Sequence, residues 1–255
     1  MSIKFKKALV RKPSKSISKA ISSKSLKPRF AKVFEEHKNY IDALISTGLH
    51  VKILEELNEY PDSIFIEDPA IVYEDVCVLL RPGVKTRLGE SKALENEVKN
   101  YFEKVFIIKD GKIEGGDILR INNHFIIGLS ERTNKKGAEN LSSILKKFGA
   151  STEISKTPEG VLHFKSDCSL IDEETILLTK AMSKIEIFGK KYRIIEIPDG
   201  EEVAANSLRI NKKLLIPSGF NRIQEKLSKH YDLITLDISE VSKVDAGLSC
   251  MSLRW

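Results

Sequence analysis

Three kinds of side chain in this sequence have the chemistry to act on a substrate: cysteine, histidine and carboxylates set beside glycine. Cys250 sits in the segment Val244-Asp245-Ala246-Gly247-Leu248-Ser249-Cys250-Met251. A cysteine attacks well when it is partly exposed and close to positive charge, whereas most cysteines serve as small buried hydrophobes. Cys77, inside Val76-Cys77-Val78-Leu79-Leu80, and Cys168 fit the buried role. Cys250 follows a glycine in a polar loop and fits it less well. A nucleophile also needs a group to protonate the departing atom, usually histidine. Of the five histidines, His37 and His230 are expected on polar helix surfaces, His50 at a helix end and His124 at a hairpin turn. His163, in Leu162-His163-Phe164-Lys165-Ser166 just before a hairpin, is the best candidate.

The acids say more. Asp62 and the adjacent pair Glu67-Asp68 flank the apolar run Ile64-Phe65-Ile66, and Glu114-Gly115-Gly116-Asp117 sets acids around two glycines that allow close backbone approach to a ligand. A turn-capping role is the ordinary alternative for such acids; it suits Asp117 and Asp167 better than Glu67-Asp68. Arg87 and Arg132 offer guanidinium forks for a carboxylate. Acids for a cation and arginines for a carboxylate describe a pocket for a basic amino acid.

These residues are spread along the chain, so the fold must gather them. Apolar residues at helical spacing predict four helices: Phe34, Ile41, Leu44 and Ile45 ending at Gly48; Leu94, Val98, Tyr101 and Phe102; Ala138, Leu141, Ile144, Leu145 and Phe148, capped by Thr133 or Asn134 and stopped by Gly149; and Ile223 with Leu227. Between them lie strand pairs: Ala70–Tyr73 with Val76–Leu80, Ile118–Ile121 with His124–Gly128, Ser169–Ile171 with Glu174–Leu178, and Ser207–Ile210 with Lys212–Ile216. Asn122-Asn123 and Asn211 supply turns. Leu248–Arg254 reads as a last strand. Polar residues open each unit, at Glu67-Asp68, Gly116-Asp117, Ser166-Asp167, Ala205-Asn206 and Val244-Asp245, about 40–50 residues apart. Five such units suggest a closed ring that protects sheet edges, with the last strand pairing near the first and loops converging on the axis.

Composition sets the outer bounds. The chain has 255 residues, 41% hydrophobic, enough for a sizeable core. It has no apolar run of membrane-spanning length. Three cysteines are too few and too odd in number for a disulfide scaffold and fit a cytoplasmic setting. The net charge is +6, and the first 32 residues hold eleven Lys and Arg and no acid. That stretch would suit a nucleic-acid or membrane patch, or a transit peptide. A folded strand at Lys7–Val10 followed by a solvated loop is the reading preferred here, because Ala8-Leu9-Val10 looks like a buried strand that ends at Pro13.

In this order, the motifs Pro61-Asp62-Ser63 with Phe65-Ile66-Glu67-Asp68, Arg81-Pro82-Gly83 with Arg87, Glu114-Gly115-Gly116-Asp117, Arg132-Thr133-Asn134 with Gly137-Ala138, Leu162-His163-Phe164-Lys165-Ser166, Ala204-Ala205-Asn206 and Cys250-Met251-Ser252-Leu253 are familiar. The chain resembles the dimethylarginine dimethylaminohydrolases, within the guanidino-group modifying superfamily, over essentially its whole length. The resemblance implies an α/β fold, a five-bladed α/β propeller of pseudo-fivefold ββαβ repeats, forming one catalytic domain over residues 1–255. It implies hydrolysis of Nω-methylated L-arginine to L-citrulline and a methylamine, with no cofactor and no metal. It further implies that Cys250 attacks the guanidinium carbon to form a thiouronium, that His163 protonates the amine and then activates water, and that Glu114 orients His163. Asp68 would pair with guanidinium nitrogens, Arg87 and Arg132 would hold the α-carboxylate, and Asp62 and Glu67 would join the same polar network. Backbone oxygens of Ile21 and Val244 would take the α-amino group, with the Ala20-Ile21 loop as a lid. A cationic substrate held by carboxylates would favour the Cys250 thiolate, making activation substrate-assisted. Ala246 stands where the family usually has glycine, and Ser207 where cysteine is common. The expected partner is a small molecule, not nucleic acid or membrane, and a homodimer is left open. The rival readings are an arginine deiminase or amidinotransferase, and, from a different class, a non-enzymatic propeller that binds RNA or ribosomes.

Overall fold

The computed structural model describes residues 3–189 and 191–255. Its strands fall into five three-stranded sheets among the described residues, arranged as blades. Each blade has an antiparallel hairpin followed by a crossover to a third, parallel strand. The first complete blade along the chain pairs β3 (Ala70–Tyr73) antiparallel with β4 (Val76–Leu79), and β4 parallel with β5 (Lys104–Ile107), with helix α2 (Glu90–Lys99) in the crossover. The next uses β6 (Ile118–Ile121), β7 (His124–Leu129), α3 (Lys135–Lys146) and β8 (Ser151–Lys156). Then come β9 (Cys168–Leu170), β10 (Thr175–Leu178) and β11 (Arg193–Glu196), followed by β12 (Leu208–Ile210), β13 (Lys213–Pro217), α4 (Asn221–Ser228) and β14 (Asp232–Leu236).

The remaining blade closes the ring. β1 (Lys7–Arg11) pairs parallel with β2 (His50–Leu54) after helix α1 (Phe30–Ser46), and antiparallel with β15 (Leu253–Arg254) at the opposite end of the chain. Joining the first and last strands in one sheet ties the two ends of the chain together and completes the fifth blade. The fold is a five-bladed α/β propeller. Hydrophobic clusters fill the spaces between neighbouring blades, such as Val76, Phe125, Leu141 and Leu145 in one and Leu177, Leu214, Ile223 and Leu227 in another.

The turn residues behave as their types require. Asn122 and Asn211 adopt φ of 57° and 53°, and Gly48 and Gly149 end helices at φ of 89° and 81°. Asn134 caps α3, its side chain accepting from Gly137 N.

Four expectations need correcting. The third complete blade connects β10 to β11 through short 3-10 turns at Met182–Lys184 and Glu186–Phe188, with no α-helix among its described residues. The final strand is shorter than expected: Ser249–Met251 forms a 3-10 turn, and only Leu253–Arg254 pairs. Phe34 and Ile45 are 49% and 53% exposed, so the buried stripe of α1 runs through Val33, His37, Tyr40 and Leu44. His37 is therefore buried, not solvated; burial lowers its pKa to about 4 and leaves its Nε2 without a hydrogen-bond partner.

Candidate active site

The polar residues that open each unit stand at the start of the blades' innermost strands, so the ring carries them to one end of its axis. Glu67-Asp68 precede β3, Glu114 to Asp117 precede β6, His163 precedes β9, Asn206 precedes β12 and Cys250 precedes β15. Five separate stretches of sequence thereby meet in one place.

Glu114 and His163 form the centre. Glu114 is fully buried, and its Oε2 lies 2.7 Å from His163 Nε2. Its other oxygen accepts from Gly83 N at 2.8 Å, and its own N–H donates to Thr133 Oγ1. Fixed on both sides, the carboxylate sets the orientation of the imidazole ring. Gly116 lies flat against that ring: a Cβ at this position would come within 2.8 Å of His163 Cγ, so no larger residue fits. Burial alone would lower the His163 pKa, but Asp117, Asp68 and Glu114 outweigh it and raise the value to about 9. The imidazole is a proton donor at neutral pH.

Asp68 supplies the second carboxylate. Its Oδ1 accepts from Gly116 N at 2.9 Å and its Oδ2 from Arg87 Nη1 at 2.6 Å. Burial works against the charge, but Arg87 and His163 prevail and hold the carboxyl down at about 2.

Cys250 is partly exposed, unlike Cys77 and Cys168, which are buried and free. Its Sγ lies 3.4 Å from Gly247 N and 3.8 Å from Asn206 Nδ2. The Cys250 carbonyl accepts from Glu67 N at 3.1 Å, which pins the Ser249–Met251 turn to the acidic segment. Burial, with Glu67 and Asp68 nearby, pushes the thiol up to about 12. These acidic surroundings favour the protonated thiol, and a cation placed against Asp68 would relieve that. Ala246 raises no difficulty: the left-handed conformation in this segment falls at Asp245, with φ of 59°, and the Ala246 methyl packs into a hydrophobic cluster. Gly247 is the constrained position, since a Cβ there would come within 2.3 Å of Asn206 Cγ.

The adjacent acids Glu67 and Asp68 face different partners. Glu67 lies 2.6 Å from Lys165 Nζ and 2.8 Å from Arg254 Nη2, and accepts from Ser249 Oγ at 2.9 Å. It sits beneath the Ser249–Met251 turn rather than in the cluster around His163. Asp62 is buried, its Oδ1 accepting from Ile21 N at 3.2 Å. The segment after Ile21 is tied to the one that holds Val244: Ser22 Oγ donates to Lys243 O at 2.6 Å, and Ser23 N donates to Asp245 Oδ2 at 2.6 Å. The loop is thus tied to the Val241–Asp245 segment that leads to Cys250.

Of the two arginines expected to hold a carboxylate, the structure gives Arg87 other partners. Its Nε and Nη2 donate to Glu90 at 3.0 and 2.8 Å, its Nη1 to Asp68, and its Nη2 also approaches the Asp62 and Phe65 carbonyls. In this arrangement its fork is fully engaged. Arg132 is less committed, with its Nη1 3.6 Å from Glu114 Oε2.

The pattern reading missed Glu90, which anchors Arg87, and Lys165, which meets Glu67. It also undervalued Asp117. That residue accepts from Phe164 N and Ser130 Oγ, as a capping residue would, yet it leads the charges that raise His163. Its place in Glu-Gly-Gly-Asp was the available signal. Asp68, Glu114 and His163 also bring three ligand-type atoms within 4.8 Å of one another. A divalent metal would have to displace the proton on His163 and the guanidinium of Arg87, so the charges favour an organic cation.

Comparison with known proteins agrees. The arginine deiminase family model matches residues 55–214. A Pseudomonas aeruginosa protein named N(G),N(G)-dimethylarginine dimethylaminohydrolase is 37% identical over 98% of this chain and 100% of its own length. Its structure as a mutant complexed with citrulline superimposes with a TM-score of 0.95 at 36% identity, covering 98% of this chain and 99% of that one. A dimethylarginine dimethylaminohydrolase adduct with S-methyl-L-thiocitrulline gives the same TM-score and identity, covering 98% and 100%.

Proposed function

Because the chain belongs to the dimethylarginine dimethylaminohydrolase family, within the wider arginine deiminase family, we propose that it hydrolyses Nω-methylated L-arginine to L-citrulline and a methylamine through a cysteine-bound intermediate. The observation that carries this reading is the buried Glu114–His163 pair beside Asp68, an anionic cluster whose Asp68 charge also acts on the Cys250 thiol.

The substrate guanidinium enters between Asp68 and Glu114 and neutralises the charge that keeps Cys250 protonated. The thiol gives its proton to solvent, and the sulfur bonds to the guanidinium carbon. His163 gives its proton to the methylated nitrogen as the carbon–nitrogen bond breaks, and the amine leaves neutral. The enzyme now carries a thiouronium on Cys250, and His163 is neutral. His163 then takes a proton from water, whose oxygen adds to the carbon. Collapse breaks the carbon–sulfur bond, the proton of the added hydroxyl returns to the sulfur, and citrulline is released. Holding the amino acid at both ends aligns carbon and sulfur, an effect worth roughly seven kcal/mol in well-aligned cases. Arg132 meets the α-carboxylate, and the backbone at Ile21 and Val244 meets the α-amino group. Arg87 reaches the carboxylate only if it exchanges Glu90 for substrate; otherwise it fixes Asp68. The chain acts as a single catalytic unit over residues 1–255, in a reducing cytoplasmic setting that keeps its three cysteines free. Sedimentation would decide between monomer and homodimer.

Asymmetric dimethylarginine, monomethylarginine, arginine and agmatine offered separately test the assignment, with citrulline and released amine measured. Methylated substrates turn over, arginine barely does, and Cys250→Ser is inactive. Fastest turnover of arginine would move the chain to the deiminase reading that its family model also permits.

A further inference from the structure

Ser249, next to Cys250 in sequence, lines a second cavity on the propeller axis. Glu67, Lys165 and Arg254 line it too, with Arg120 and Arg209 toward the hairpin tips. Asp68, Glu114 and His163 do not, so the axis has two ends. The ion pairing of Glu67 with Lys165 and Arg254 is the partition between them. Glu67 and Asp68, one acid from each end, both favour the thiol over the thiolate at Cys250. A sulfur that must become an anion near two carboxylates needs donors of its own.

Two N–H groups meet that sulfur. Gly247 N lies 3.4 Å from Cys250 Sγ, and Asn206 Nδ2 lies 3.8 Å from it. The Asn206 amide is held in place from both ends. The residue is 5% exposed. Its Oδ1 accepts from Ser249 N at 2.9 Å, and its Nδ2 donates to Lys165 O at 3.0 Å. A backbone N–H only donates and a carbonyl only accepts, so these two partners fix which end of the amide carries the hydrogens. One N–H of Nδ2 goes to Lys165 O, and the other is left for the sulfur.

The two donors are also locked to each other. Gly247 packs flat against the Asn206 amide, since a Cβ there would come within 2.3 Å of Asn206 Cγ. The same amide joins two turns from distant parts of the chain. Its Nδ2 holds Phe164–Ser166, which follows His163, and its Oδ1 holds Ser249–Met251, which carries Cys250.

We propose that Asn206 is a further catalytic residue, whose Nδ2 joins the Gly247 N–H in a two-donor cradle for the Cys250 thiolate. Its part in turnover rests on the methylarginine reading above. The cradle stabilises the sulfur before it bonds to the guanidinium carbon. It does so again when the carbon–sulfur bond breaks and the electron pair returns to sulfur. Hydrogen bonds to a charged group are stronger than those to a neutral one, so both contacts strengthen as the thiolate forms.

Alkylation by iodoacetamide in the substrate-free protein, at several fixed pH values, tests this. Peptide mass spectrometry locates the modified residue, so that only Cys250 is scored. Asn206→Ala removes the side-chain donor and slows alkylation about tenfold. Asn206→Asp keeps the shape and the oxygen that accepts from Ser249 N. It loses the N–H groups and sets a carboxylate against the thiolate, so it slows alkylation at least as much. It stays informative if Asn206→Ala fails to fold by circular dichroism. An amide that served only to latch Ser249 would give another pattern. Asn206→Ala would then loosen the turn and speed alkylation, and Asn206→Asp would match the parent. Either result in folded protein would overturn the proposal. With a methylated arginine as substrate, kcat of the folded variants falls about tenfold or more while KM stays within about threefold. A raised KM at unchanged kcat would assign Asn206 to substrate binding and overturn the proposal as well. A parent protein that turns over no methylated arginine sinks the function reading alone, because the alkylation result needs no substrate.

Discussion

The two ends of the propeller axis are built from the same five strands yet hold opposite charge. At the strand starts, Asp68, Glu114 and Asp117 gather around one imidazole, and Arg87 and Arg132 lie close to Asp68 and Glu114. At the hairpin end, four cations face one acid. Glu67 and Asp68 are neighbours in sequence, and one belongs to each environment. A single backbone step therefore divides the two ends. The difference teaches that, where strands converge on an axis, position along the strand sorts charge more finely than composition does.

The largest effects should come from breaking the acidic end. Cys250→Ser removes the nucleophile and should lower turnover by at least about a thousandfold without loss of fold, checked by steady-state kinetics and circular dichroism. Glu114→Gln keeps the shape but loses the charge that orients His163. A fall in kcat of about 10²- to 10⁴-fold is expected, with a smaller change in KM. A kcat within threefold of the parent would show that Glu114 is not needed.

The next effect is read along the pH axis. His163 must be protonated to serve the leaving amine, and its pKa is raised to about 9. kcat/KM should therefore fall on the alkaline side with an apparent pKa near 9. In Asp117→Asn the leading charge that raises His163 is gone, so that limb should move to lower pH. The same shift has a consequence for stability. A histidine raised in the folded state contributes fully below its unfolded value near 6.5, and loses that contribution as pH climbs through 9. Denaturant midpoints measured from pH 6 to 10 would detect it, and a limb that Asp117→Asn leaves in place would assign the titration to another group.

The partition between the ends should yield more gently. Lys165→Met leaves Glu67 with Arg254, so a stability loss of about 1–3 kcal/mol is expected in urea unfolding. Lys165 also holds the Cys250 thiol down, so its loss should slow alkylation of Cys250 by iodoacetamide at a fixed pH.

The smallest effect lies outside the axis and serves as a control. His37 is buried neutral, with its pKa lowered to about 4. Its contribution is complete above pH 6.5 and fades as pH drops toward 4, because the unfolded chain binds the proton more readily. His37→Leu should flatten that part of the stability profile and leave kcat/KM unchanged. An unchanged acid profile would show that His37 is not the group responsible.

Much of this could be read without a structure, for reasons that differ by residue. Asn122 and Asn211 announce their turns because few residue types accept a positive φ. Ala8-Leu9-Val10 reads as buried, and is, because β1 lies between β15 and β2 and its two faces pack into separate hydrophobic clusters, Ala8 and Val10 in one and Leu9 in the other. His37 was misplaced because helix periodicity fixes which residues share a stripe but not how far the neighbouring blade covers it. Helical spacing gave no helix between β10 and β11, although the repeat implied one; the short turns that replace it carry no periodic signal, because a crossover needs only length and a route.

The chain by itself determined the repeated unit, the polar residue at the head of each repeat, and the identity of the reactive groups, since spacing and side-chain type are local properties. Only the tertiary structure decided that Glu67 turns to Lys165 and Arg254 while Asp68 turns to His163, that Arg87 is engaged by Glu90, and that a basic cavity lies opposite the acidic one. Those outcomes depend on charges brought within a few ångströms by ring closure, and no stretch of sequence records a distance across a ring.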